Sequence, residues 1–180
     1  MERYLIPFTI PLSGSRKGIT EFEFVCDDAF FACFPESPVQ EGEVKVAVTL
    51  DKRTEMFVLS FSFEGRLAMI CDRCTADIRM PVEGDHDLIL KNGEAYLEED
   101  EVIVLPPETA EFNVAQVMYE YIILAIPVSR TYDCEEDDPR PCNMETLDYL
   151  NRSMEEEIEE DETDGTESPF RNLLDELNNN

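Results

Sequence analysis

Val44-Lys-Val-Ala-Val-Thr-Leu50 and Phe57-Val-Leu-Ser-Phe-Ser-Phe63 decide the fold. In both, apolar side chains recur at every second position, the spacing of a half-buried strand and not the 3.6 period of a helix. Asp51-Lys-Arg-Thr54 joins them, so the pair reads as a hairpin. Gly65 then reads as a break, and Arg66 to Ile70 as a third strand. Ile78 to Met80 and His86 to Leu90 form either a further hairpin or one long bent strand. Upstream, Tyr4 to Ile10 reads as a strand, and Phe22, Phe24 and Cys26 alternate with Glu21, Glu23 and Val25 in another. Asp27 to Phe34 fits a short helix or a strand, and Val102 to Leu105 is the last strand before Pro106-Pro107.

The period then changes. From Asn113 to Ile126 the apolar residues Val114, Val117, Met118, Tyr121, Ile122, Leu124 and Ala125 fall mostly at helical spacing. Asn113 is a good N-cap and Pro127 a stop, which predicts a core helix over 113–126. The expected architecture is α+β: a β-rich antiparallel sheet, barrel-like if its ends meet, with one main core helix and an acidic C-terminal extension. Residues 1–132 form the core domain, 133–152 a cysteine-bearing loop with a short helix, and 153–180 an acidic flexible tail ending in a short amphipathic helix.

Charge constrains the partners. The 180 residues hold 42 Asp or Glu against 14 Lys or Arg, a formal charge of -28. Residues 133–180 account for 18 of the acids and only three Arg. Glu155 to Glu167 is a block of like charge that cannot bury a core and reads as disordered. Affinity for nucleic acid comes largely from Lys and Arg displacing counterions, so direct binding to bare RNA or DNA is disfavoured and a basic protein is the better electrostatic match. Arg66, Arg73, Arg79 and Lys91 are the core's candidates for a small basic patch. No apolar run approaches the ~18 residues of a membrane span, and Met1 to Phe8 does not read as a secretory signal. The expected compartment is the cytoplasm.

In that reducing setting, six cysteines read as free thiols or metal ligands. Cys71 and Cys74, in Ile70-Cys-Asp-Arg-Cys-Thr75, bring two sulfurs together at a strand end. Cys134 and Cys142 flank a turn-rich loop after the helix. If that loop folds back, the four cysteines make a tetrahedral thiolate set of the kind that holds structural Zn2+, competing with a reading as unmetallated thiols. Redox use is disfavoured, because the pair follows a strand and does not open a helix whose amides would lower a thiol pKa. Cys26 and Cys33 lie among Phe24, Phe30, Phe31 and Phe34 and read as small core hydrophobes. His86, the only histidine, has the chemistry of a metal ligand or base, but the carboxylates flanking it on a strand favour an exposed surface position. No phosphate loop, nucleophile elbow or paired-carboxylate motif occurs, so no catalytic residues are assigned.

Ser168-Pro-Phe-Arg-Asn-Leu-Leu-Asp-Glu-Leu177 carries an N-cap Ser, Pro at the first helical position, and Phe170, Leu173, Leu174 and Leu177 on one face. Ten residues make a marginal helix, so that face either docks on its own domain or recognises a partner.

Cys71-Asp-Arg-Cys74 followed by Met80-Pro81-Val82, the helix ending Ile123-Leu-Ala-Ile-Pro127, and the terminal Ser168 to Leu177 together resemble the YceD family. The resemblance spans nearly the whole chain on short motifs. Thr75 stands where the family usually has Leu, and the loop carries only Cys134 and Cys142. What the resemblance implies is a non-enzymatic bacterial factor for large ribosomal subunit biogenesis, supporting 23S rRNA processing or accumulation. The charge directs such a factor toward a basic ribosomal protein of the large subunit, or a protein-RNA surface. Two competing readings are a zinc- or thiol-dependent enzyme, and a chaperone-like acidic binder of a basic protein.

Overall fold

The structure, a computed structural model, describes residues 2–13, 18–54, 56–93, 97–99, 101–131 and 137–163. After two 3-10 turns, Glu2–Tyr4 and Ile6–Phe8, the order is β1 (Thr9–Pro11), β2 (Gly18–Cys26), α1 (Asp28–Phe31), β3 (Gly42–Lys52), β4 (Met56–Ile70), β5 (Asp77–Asn92), β6 (Leu97–Glu99), β7 (Val102–Leu105), β8 (Glu111–Asn113), α2 (Ala115–Leu124) and α3 (Met144–Thr163). The α+β, strand-rich class read from the sequence holds.

The main sheet has six strands in the order β2-β3-β4-β5-β7-β6, and β1 pairs with β8 in a separate two-stranded ladder. Two expectations are corrected here. The sheet is mixed, because β5 and β7 run parallel from Ile89 opposite Val102 to Asn92 opposite Leu105. It is also open among the described residues, with β2 and β6 at its edges and no barrel closure.

The deciding hairpin forms as read, pairing Val48 with Phe61 and Val46 with Phe63. Gly65 does not break it. β4 runs unbroken through that glycine to Ile70, opposite a single β5 that pairs Met56 with Lys91 at one end and Ile70 with Asp77 at the other. A side chain could not stand at position 65: a Cβ there would lie 2.3 Å from the Glu43 carbonyl oxygen and 2.6 Å from Val44 Cα. The glycine allows two long, coiled strands to approach closely instead of ending one.

Period-two alternation divides the sheet into two faces. Val44, Val46, Val48 and Leu50 of β3 and Leu59, Phe61, Phe63 and Leu67 of β4 are buried on the inner face. α2 covers that face with Ala115, Met118 and Ile122, each fully or nearly fully buried. Tyr121 stands edge-on to Phe61, ring centroids 5.4 Å apart, and stacks on His86 at 4.3 Å. His86 is therefore a half-buried inner-face residue, opposite Phe61, and not the exposed one expected; a tertiary neighbour covers it.

At the N-terminus, Tyr4 to Ile10 is no single strand. The 3-10 turn at Ile6–Phe8, which Pro7 helps to set, delivers Phe8 onto Phe24 and Phe30 before β1 begins. Asp27 caps α1 by accepting from the Phe30 N–H at 2.9 Å, and the Tyr4 hydroxyl donates to the same carboxylate at 2.8 Å. α1 then buries Phe30 and Phe31 completely. α2 is shorter than the 113–126 span expected; Asn113 ends β8, and its side-chain oxygen accepts from the Ala115 N–H at 3.0 Å. α3 is a longer helix than the sequence suggested, reaching Thr163 through part of the acidic block. Its 20 residues are far too acidic to cross a bilayer, and no helix among the described residues is long and apolar enough to do so. Phe170, Leu173, Leu174 and Leu177 lie outside the described residues.

Candidate functional site

Ile70 and Asp77 close the β4-β5 ladder, and residues 71–76 between them form a tight knuckle. Cys71 donates its N–H to the Ala76 carbonyl at 2.9 Å, and Thr75 donates to the Cys71 carbonyl at 2.9 Å. Thr75 sits at φ 59°, in the left-handed region where glycine is favoured and a β-branched residue is a genuine outlier. A turn that returns the chain so sharply after Cys74 calls for that conformation, whichever residue supplies it. The Thr75 hydroxyl offsets part of the strain by donating to the Cys74 carbonyl at 2.7 Å.

The knuckle turns both sulfurs inward. Cys71 and Cys74 are free thiols, 7% and 2% exposed. Burial pushes the Cys74 thiol up, but backbone N–H groups of Ala76 and Asn143, the Cys71 thiol and the nearby Arg73 charge outweigh it, so its pKa is lowered. Several N–H donors aimed at one sulfur suit a thiolate more than a thiol. That arrangement fits a metal ligand, and equally stabilises a bare thiolate.

Two later segments are latched onto this turn. Asp72 accepts from the Arg130 backbone N–H at 2.8 Å and from its guanidinium at 2.6 and 3.2 Å, and its own N–H donates back to the Arg130 carbonyl at 3.2 Å. The Arg130 side chain, through its hydrogen bonds and charge, holds the Asp72 carboxyl below the usual carboxylate range. Asn143 stands just before α3 and caps it, its side-chain oxygen accepting from the Thr146 N–H at 3.2 Å, while its own N–H serves Cys74. The loop bearing Cys142 therefore does return to the knuckle.

Of the four cysteines expected to converge, the structure brings Cys71 and Cys74 together, while Cys142 packs half-buried against the core one residue before the Asn143 whose N–H serves Cys74. Cys142 is disulfide-bonded, and Cys134 lies outside the described residues. Among the described residues no group of three or more His, Cys, Asp or Glu is arranged to hold a metal ion. A four-sulfur centre here needs Cys142 reduced.

The other sequence candidates separate. Cys26 is fully buried among the aromatics, which drives its thiol pKa far up by desolvation, and half-buried Cys33 donates to the Ala29 carbonyl at 3.3 Å. Arg66 and Arg79 stand near the knuckle end of the sheet, Arg66 donating to the Arg79 carbonyl at 3.4 Å and Arg79 lying 3.7 Å from Glu41. Lys91 does not join them; it faces Met56 at the opposite end of β5. Sequence reasoning missed Asp72, Arg130 and Asn143, whose roles appear only when distant segments meet. Thr75 carried a partial signal, standing where many cysteine knuckles place glycine.

A family model described as "Large ribosomal RNA subunit accumulation protein YceD" matches residues 59–175, from within β4 through the knuckle, α2 and the cysteine loop. No curated protein and no solved structure matches the chain.

Proposed function

Because the chain belongs to the YceD family of large ribosomal RNA subunit accumulation proteins, we propose that it supports the accumulation of large-subunit ribosomal RNA, 23S rRNA in a bacterial cytoplasm. It does so without catalysis, by engaging a basic ribosomal protein of the large subunit or a joint protein-RNA surface. The observation that carries the first part is the family match over more than half of the chain. The charge of -28 supports the second, since phosphate backbones are repelled where Lys and Arg are outnumbered three to one. Deleting the gene in its host and measuring the ratio of large-subunit to small-subunit rRNA tests the reading. A fall that the intact chain restores supports it, and an unchanged ratio refutes it.

A structural Zn2+ accompanies this proposal. Cys71, Cys74, Cys134 and, once reduced, Cys142 would hold it, and the N–H donors on Cys74 favour that reading over a purely apolar thiol pair. The ion would fix the knuckle, the segment after α2 and the start of α3 to one another as a closed four-thiolate centre, with no open position for substrate.

A further inference from the structure

The face of the long sheet opposite α2 carries a charge pattern that the family match does not explain. Strand register aligns Glu23, Ala47, Ser62 and Asp85 in one row across β2, β3, β4 and β5. The next row is Glu21, Thr49, Ser60 and Asp87. Each row runs acid, small, small, acid, so small side chains form a floor between two acidic ridges. All four ridge carboxylates are exposed. Among the described residues no ion pair reaches any of them. The surface is hollow as well as charged: a cleft of about 950 Å³ and a second of about 220 Å³ both open over Ala47, Ser62 and Asp85, the larger extending to the next row, where Lys45 stands with Glu64 and Glu83.

We propose that this trough docks a basic α-helix presented by a protein partner. Width, floor and charge agree on that occupant. Three inter-strand steps of about 4.8 Å separate the ridges by about 14 Å, and a helix with its side chains is about 10–12 Å across. Small floor residues let the helix approach, and Lys or Arg on its two flanks reach the ridges. A second copy of this chain is repelled by its own charge of -28, and the residues after Thr163 add four acids against one Arg. Nucleic acid meets the same repulsion. The inference rests on the protein-partner reading above and gives it an address.

The test uses the full chain and, as probe, a helical peptide of about 20 residues, ~30 Å long, with Lys and Arg on two flanks of an Ala-rich body. The expected footprint by diffusible carbene labelling of surface side chains on the unaltered protein is protection at Ala47, Thr49, Ser60 and Ser62. Ser60→Lys with Ser62→Lys places like charges on the exposed floor and lowers affinity at least about tenfold at ~0.15 M salt. Glu36→Gln with Glu108→Gln changes net charge equally at exposed sites elsewhere and leaves affinity within about twofold. Equal loss in both variants, protection away from the floor, or protection of the floor by a bare rRNA fragment overturns the proposal. Complementing the gene deletion separates the two readings. A drop in large-subunit rRNA that the Ser60→Lys, Ser62→Lys chain fully restores sinks the trough and leaves the function standing. No drop on deletion sinks the function, and the peptide footprint alone then decides the trough.

Discussion

Replacing Gly65 with alanine tests whether β4 is one strand. A Cβ at that position would meet the Glu43 carbonyl oxygen at 2.3 Å and Val44 Cα at 2.6 Å, both backbone atoms of β3 that no rotamer change can move. Overfilling a packed site costs about 1–3 kcal/mol, and a clash with backbone belongs at the upper end. Against this, alanine in a strand interior recovers roughly 0.5–1 kcal/mol of the glycine entropy penalty. The net expectation is a loss of about 2 kcal/mol, a fall in melting temperature of about 4–8 °C for a chain of this size. Gly84 is the comparison: a Cβ there meets the buried Phe63 ring at 2.7 Å, a side chain and not backbone, so Gly84→Ala should cost less, about 1 kcal/mol at the lower end of that range. Urea unfolding followed by circular dichroism reads both, as a shift in midpoint at constant slope. A Gly65→Ala protein as stable as the parent, or less perturbed than Gly84→Ala, would refute close strand approach as the reason for this glycine.

Three further outcomes follow from the knuckle. Thr75→Gly relieves a left-handed β-branched residue that costs about 1–2 kcal/mol and adds back a glycine entropy cost of roughly 0.5–1, so thermal unfolding should show a gain of up to about 1 kcal/mol. Asp72→Asn keeps the side chain's size but removes the carboxylate that Arg130 grips, so the Arg130 amide should exchange faster while the β3-β4 amides do not. Because the Asp72 pKa is lower folded than unfolded, its contribution is full above the unfolded carboxylate range and is lost as pH falls through the folded value, and Asp72→Asn should flatten stability against pH in that acidic window alone. Protein purified under reducing conditions without chelator should carry one zinc per chain, lose it on Cys71→Ser, and melt at lower temperature after chelation; metal-free protein with its thiols all open to titration would contradict the zinc proposal.

The sequence was most legible where one face of a strand is buried and the other is not. Val44 to Leu50 and Phe57 to Phe63 report their own environment, and so the hairpin and its inner face could be read directly. Gly65 was misleading, because its reason is the backbone of β3 and not a turn of its own chain. Tyr4 to Ile10 has strand-like composition, yet Pro7 and the aromatic nest around Phe30 favour a 3-10 turn. Parallel pairing of β5 with β7 joins residues separated by β6, which local periodicity cannot encode. The cysteine knuckle was visible as a motif, but its latch was not: Asp72 and Arg130 lie 58 residues apart. The trough was half visible. Alternation exposes Ala47, Thr49, Ser60 and Ser62, but only register sets them between Glu21, Glu23, Asp85 and Asp87.

The central claim, that the chain serves large-subunit rRNA through a basic protein surface, is tested most directly by titrating the purified protein at ~0.15 M salt against protein-free large-subunit rRNA and, in parallel, against the protein fraction extracted from large ribosomal subunits. The expected result is saturable binding to one or more basic subunit proteins, weakening as salt rises, and none to the bare RNA. Tight binding to the bare RNA with no protein present would contradict it.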